Sequence, residues 1–306
     1  MEPLVFPKIE WKNEATNHKE VDKLEKELND WLSVYCKAAG MNGSLVSHKL
    51  SYFSTRIWHY GSYERVLAIA KLIAYFFVVD DFFDVMDRKW TRYQYGRLIE
   101  IALNDEIVPL QGDNWFQACW SDLWQSFTRL ANNEWKYRLI NSCATWFKGA
   151  ELELKFKQSK KIPSLVEYLT LRPFSEGGEF CFNFIEFAAN KYLSQNTLSN
   201  PVFNSLLQYS RLVLFATNDL YSFRKETKKG DVMNLVMVYH NEYKISTQEA
   251  IYKTVEFIQE NLKIFESYKD QLVSALIPDD DMQFYVSGLE AMFRGNYDFH
   301  FDSKRY

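Results

Sequence analysis

The run Val66-Leu67-Ala68-Ile69-Ala70-Lys71-Leu72-Ile73-Ala74-Tyr75-Phe76-Phe77-Val78-Val79 carries one charge and ends directly in Asp80-Asp81-Phe82-Phe83-Asp84. A helix that is apolar all round has no face to offer water, so it must lie inside the protein. At ~1.5 Å per residue the run reaches about 21 Å, short of the ~30 Å hydrocarbon core of a bilayer. It therefore reads as a buried helix and not a membrane span. Its end is the constraint: three carboxylates leave the interior together and need a cavity, a cation or a partner. Asp80 and Asp84 are four apart and share a helix face, where like charges repel unless a cation lies between them. No His or Cys accompanies them. Hard oxygen ligands of this kind suit Mg²⁺, which takes one or two carboxylates and completes its shell with water and phosphate oxygens.

A second apolar run, Leu212-Val213-Leu214-Phe215-Ala216-Thr217, leads into Asn218-Asp219-Leu220-Tyr221-Ser222-Phe223-Arg224-Lys225-Glu226. Asn218, Ser222 and Glu226 stand at i, i+4 and i+8. One helical face thus presents an amide oxygen, a hydroxyl and a carboxylate in line, a ligand set for a further Mg²⁺. Asp219 falls off that face and reads as a supporting group. Two helices that both emerge from the interior into hard-oxygen ligands predict a shared cavity. The anion between them would be a diphosphate, which metal ions neutralise and make a better leaving group. Phe77 and Phe215, one turn below Asp80 and Asn218, are expected to line the cavity, with Trp58 and Phe174 as weaker candidates. An aromatic face stabilises a cation by ~0.5–2 kcal/mol or more when desolvated.

The rest of the chain supports one all-α domain over residues 1–306, with residues 1–15 as an extended N-terminal arm. Apolar residues do not alternate with polar ones over strand lengths. Breaks are expected near 40–43, 105–113, 160–163, 194–201, 228–231, 243–246 and 278–281, leaving roughly ten helical segments. Aromatic residues make up 17% of the chain, a composition that serves a large core or an aromatic-lined cavity. The net charge of −4 lacks the basic footprint of a nucleic-acid binder. Cys36, Cys119, Cys143 and Cys181 form no CxxC pair, so zinc and a disulfide framework are not expected. The N-terminus has no basic start followed by an apolar core. The expectation is a cytoplasmic protein with reduced thiols, no nucleic-acid partner and no membrane span; a homodimer stays open.

The paired motifs, residues 80–84 and 218–226, resemble those of class I terpene synthases of the microbial type. There the second motif reads N-D-x-x-S-x-x-x-E, often with Lys before the Glu, as Lys225 is here. That family places a diphosphate-sensing Arg about 46 residues before the motif's Asn, and 218 − 46 = 172 is Arg172. It also carries an Arg-Tyr pair near its C-terminus after a segment similar to Phe293-Arg294-Gly295-Asn296-Tyr297-Asp298-Phe299; the pair here is Arg305-Tyr306. Phe299 stands where the family often has Trp. The resemblance covers residues 80–306. It implies a helical bundle around a deep central cavity and three Mg²⁺ ions. It implies a linear prenyl diphosphate substrate, C15 or C20, ionised and cyclised to a sesquiterpene or diterpene. Arg172, Lys225, Arg305 and Tyr306 would hold the diphosphate, and Asp81 would pair with Arg172. A helix break within residues 172–178 would turn a backbone carbonyl toward the reacting carbon, with Gly178 the candidate. Pro173 and the paired glycines give such a break a physical reason. Two alternatives are weighed. A chain-elongating prenyl synthase of the same fold would carry a second aspartate-rich motif where this chain has Asn, Ser and Glu. A non-catalytic helical interaction protein would show no Mg²⁺-dependent melting shift with diphosphate.

Overall fold

Among the residues described by the computed structural model (3–14, 16–40, 49–83, 86, 88–275 and 280–303) the chain forms thirteen α-helices and no strand. They are α1 (Val21–Ala38), α2 (Ser51–Ile57), α3 (Tyr63–Phe83), α4 (Arg88–Leu103), α5 (Trp115–Leu130), α6 (Asn133–Ser159) and α7 (Leu165–Ser175). There follow α8 (Gly178–Ala189), α9 (Gln195–Leu198), α10 (Pro201–Lys229), α11 (Leu235–Tyr243), α12 (Thr247–Ala275) and α13 (Asp280–Asp302). This is more than the ten segments expected. Two of the extra breaks, at Gly61 and at Ala131–Asn132, rest on single residues that are weak punctuation in sequence. Gly61 is forced by packing, since a Cβ there would meet Val66 and Ala188. Asn132 is an N-cap whose side chain accepts from the Trp135 amide. The breaks expected at 40–43 and 278–281 fall largely outside the described residues.

The apolar run forms most of α3, buried on every side as its composition requires: Val66, Ile69, Ala70, Leu72, Ala74 and Val79 are all fully enclosed. Its one interruption, Lys71, lays its ammonium over the Trp31 ring of α1 at 5.3 Å. α3 packs on α1, α2, α5 and α8, and α10 on α12 and α13. α10 begins with Asn200 capping two amides ahead of Pro201, and ends at Gly230 in the left-handed conformation. α6 lies against α4, α7 and α8. Its approach to α7 is backbone-close at Gly149, where a Cβ would collide with the Phe174 carbonyl and the Ser175 amide.

The break within residues 172–178 is present. α7 ends at Ser175 and α8 begins at Gly178, with Gly177 at φ 89° between them. A side chain at Gly177 would be strained by that angle and would strike the Phe180 ring. Residues 3–14 carry no helix or strand. They lie over the far face of α10 and the adjoining helices, with Tyr221 donating to the Pro7 carbonyl and Arg224 to the Leu4 carbonyl. All four cysteines are buried and unpaired. No helix among the described residues is long and apolar enough to cross a membrane.

Candidate active site

Seven helices, α2, α3, α6, α7, α8, α10 and α13, enclose a cavity of about 190 Å³. A buried water needs only ~10–15 Å³, so the space is ligand-sized and not a packing fault. Its apolar wall is aromatic: Phe53, Phe76, Phe77, Trp146 and Phe180. The Phe76 ring lies 4.5 Å from that of Trp146 and 4.6 Å from that of Phe180. Phe77 stacks at 6.0 Å on Phe299, which is fully buried and so fills the packing role of a Trp. The polar wall carries Glu153, Lys157, Arg172, Asn218, Lys225, Glu226 and Asp231.

α10 supplies the described part of the expected metal set. Asn218 and Glu226 line the cavity, and Ser222 lies on the face between them. The Ser222 hydroxyl is buried and has no hydrogen-bond partner among the described residues. A buried orphan hydroxyl costs about 1–3 kcal/mol, so its place between two cavity-lining oxygen donors fits a cation ligand. Asn218 is oriented by His300. The His300 Nδ1 lies 2.8 Å from the Asn296 carbonyl, which can only accept, so Nδ1 bears the proton. Nε2 then accepts from the Asn218 amide nitrogen at 3.4 Å, leaving the Asn218 oxygen for a cation. Burial keeps His300 neutral, lowering its pKa to about 4. Glu226 accepts from Asn234 at 2.8 Å. Burial, and then the nearby Asp219, push its carboxyl up to about 7, the mark of a site that is short of positive charge.

Asp219 is buried and ties three helices together. It accepts from Tyr168 and Arg172 of α7, the latter at 2.8 Å, and from the Leu235 amide of α11 at 2.7 Å. Arg172 also reaches Glu153 at 3.4 Å. Its terminal nitrogens are therefore engaged by Asp219 and Glu153. Asp80 and Asp81 lie in the last turn of α3, but their side chains, and Asp84, Arg305 and Tyr306 entirely, fall outside the description. Lys225 lines the cavity.

Four expectations need correction. Trp58 and Phe215 are fully buried in the core, the first against Phe53 and Phe184, the second against Tyr168 and Phe257; neither lines the cavity. Phe174 is 46% exposed on the outside of α7. From α10 the apolar lining residue is Leu214, four residues below Asn218 and not three. Gly178 is the first residue of α8, so its carbonyl belongs to that helix's own ladder. The Ser175 carbonyl is also taken, by the Trp146 indole at 2.8 Å.

Sequence reasoning missed Lys157, Glu153, Asn234, Glu176 and His300. Glu153 and Lys157 form an i, i+4 pair at 3.7 Å that was readable. His300 has no metal-ligand spacing to mark it in the sequence, and its contact with Asn218 spans 82 residues and leaves no local signal.

Comparison with known proteins agrees with this geometry. The family description "Terpene synthase family 2, C-terminal metal binding" matches residues 71–263. Sesquiterpene synthase 1 of Postia placenta is 21% identical over 84% of this chain and 76% of its own length. The 10-epi-cubebol synthase of Sorangium cellulosum is 25% identical over 80% of this chain and 79% of its own. The crystal structure of germacradien-4-ol synthase from Streptomyces citricolor superposes with a TM-score of 0.82 at 21% identity, over 95% of this chain and 97% of that one. With the family description matching well over half of its length, this chain belongs to the terpene synthases and is a class I terpene cyclase of the microbial type.

Proposed function

We propose that the enzyme ionises a linear C15 prenyl diphosphate in a Mg²⁺-dependent step and cyclises the resulting cation to a sesquiterpene. The observation that carries the metal reading is the orphaned Ser222 hydroxyl between Asn218 and Glu226. The C15 length is supported by the sesquiterpene synthases among the relatives.

Asn218, Ser222 and Glu226 would hold Mg²⁺ from α10, and Asp80 and Asp84 would supply further carboxylate ligands. When bound, the metal neutralises the diphosphate and makes it a better leaving group. Arg172 and Lys225 offer the diphosphate cationic donors, and a guanidinium suits phosphate oxygens through its planar fork. Engagement of Arg172 requires it to exchange part of its contact with Asp219 and Glu153. Arg305 and Tyr306 close the site and exclude water. Phe76, Phe77, Trp146 and Phe180 shape the prenyl chain and present ring faces to the travelling charge. At the α7–α8 break the carbonyl left to face the reacting carbon is that of Glu176, because its neighbours' are committed.

The test is incubation with C10, C15, C20 and C25 diphosphates, with Mg²⁺ or with chelator, followed by gas chromatography–mass spectrometry. A cyclic C15 product only with Mg²⁺ is the expected result. An elongated prenyl diphosphate, or turnover undiminished by chelator, would overturn the reading.

A further inference from the structure

Glu176 folds its carboxyl back over Gly178, whose backbone amide is its one hydrogen-bond donor among the described residues. It lines the cavity at the α7–α8 break. Its Oε1 is shielded from solvent and has no hydrogen-bond donor among the described residues. The arginines whose charge it feels are committed elsewhere, Arg172 to Asp219 and Glu153, and Arg211 to Glu179 at 2.7 Å. The backbone is cut to admit it: a Cβ at Gly178 would collide with Oε1. The next residue but one, Phe180, presents its ring to Phe76 and Trp146, so the carboxyl and the aromatic wall adjoin.

The other cavity carboxyls are all occupied. Glu153 is held by Ser175, Arg172 and Lys157. Glu226 is held by Asn234 and stands in the proposed metal set. Asp231 accepts two backbone amides and faces Lys157. Of the four, Glu176 is the one with a solvent-shielded oxygen that has no hydrogen-bond partner among the described residues.

Resting on the terpene-cyclase reading, we propose that Glu176 is the catalytic base that ends the cascade, taking the proton from the carbon beside the final cationic centre. The C–H electron pair becomes the new C=C bond, the cationic carbon gains that pair, and the proton passes to the Glu176 carboxylate. The carboxylate becomes a neutral acid, and its proton leaves to solvent or to diphosphate when the site opens. Burial raises the pKa of this carboxyl to about 7, which makes it a stronger proton acceptor than an exposed glutamate.

The experiment compares wild type, E176Q and E176D with the C15 diphosphate and Mg²⁺. Diphosphate release is measured beside products from site-specifically deuterated substrate, and melting curves establish folding. Both variants keep the backbone carbonyl of residue 176, so E176Q should lose less of its diphosphate release than of its main alkene. Its main alkene should fall by about a hundredfold or more as a fraction of product, the lower end of what a positioned base contributes, and the hydrogen lost should come from a different carbon. E176D should recover part of the wild-type product. The same alkene, losing the same hydrogen, from E176Q would overturn the proposal. So would an equal collapse of diphosphate release in both variants, which assigns Glu176 to ionisation or folding, and so would an alcohol as the sole wild-type product. If wild type releases no diphosphate from any prenyl diphosphate, the activity itself fails and this role with it.

Discussion

Replacing Ser222 with Ala should move stability and activity in opposite directions. The Ser222 hydroxyl is fully buried and has no hydrogen-bond partner among the described residues. Removing an unsatisfied buried hydroxyl recovers about 1–3 kcal/mol. Ala in place of Ser in a helix interior adds up to about 0.5 kcal/mol, and the lost contacts of one oxygen atom subtract about 0.5–1 kcal/mol. The net is a gain centred on about 1.5 kcal/mol within a span of about 0–3 kcal/mol, or about 2 °C in Tm for a chain of this size. In Mg²⁺ and inorganic diphosphate the order should reverse. Ligand at about 100 times its Kd stabilises wild type by about 2.7 kcal/mol, and a variant short of one metal ligand loses most of that increment. Differential scanning calorimetry in chelator and in Mg²⁺ plus diphosphate gives both numbers, and steady-state assays should show a raised Mg²⁺ requirement. A variant that melts lower than wild type in chelator, with an unchanged ligand-induced shift, would show that the hydroxyl serves the core and not a cation.

Asp80→Ala and Asn218→Ala should each abolish product while leaving the fold intact; full activity at ordinary Mg²⁺ in either would refute the ligand assignment. Removing Arg305 and Tyr306 should lower kcat more than it raises KM, and an unchanged kcat would remove them from closure. Phe77→Leu should shift products toward earlier-quenched, less cyclised compounds, whereas Phe215→Leu should lower Tm and leave the product ratio alone; a mass-spectrometric profile beside a melting curve separates the two. Glu176 and Glu226 are both pushed up to about 7 from 4.5. Between those values the folded chain binds more protons than the unfolded chain, so metal-free stability should fall as pH rises from about 4.5 to 7. E176Q should flatten part of that slope, and an identical slope would show that Glu176 does not titrate there.

The metal-bearing stretch of α10 was legible because helical geometry alone puts residues 218, 222 and 226 on one face. The buried course of α3 was legible because a run with one lysine has no polar side. The cavity wall was not. Periodicity says which residues share a helix face; it does not say whether that face meets a void or another helix. Phe215 lies within one turn of Asn218, yet its ring meets Tyr168 and Phe257, while Leu214 reaches the cavity. Trp146 and Phe180 escaped notice because they come from α6 and α8, and only the tertiary approach of those helices to α3 brings their rings to Phe76. Glu176 was passed over for a related reason: one acid beside two glycines carries no pattern until the chain folds it back over Gly178.

The contact at Gly149 limits how this enzyme can be redesigned. There α6 meets the last turn of α7 backbone to backbone, with no Cβ between them. That boundary is set by main-chain atoms, so trimming side chains cannot move it outward, and adding one at residue 149 would push the helices apart and displace Arg172 and Glu176 together. Enlarging the chamber for a longer hydrocarbon without disturbing that contact is best done where removable side chains form the wall away from it, as at Phe53 of α2, Phe77 of α3 and Met292 of α13. The α6–α7 side acts as a fixed jaw and the α2–α3–α13 side as the adjustable one. Libraries confined to those three positions should alter substrate length while leaving the diphosphate-handling residues in register.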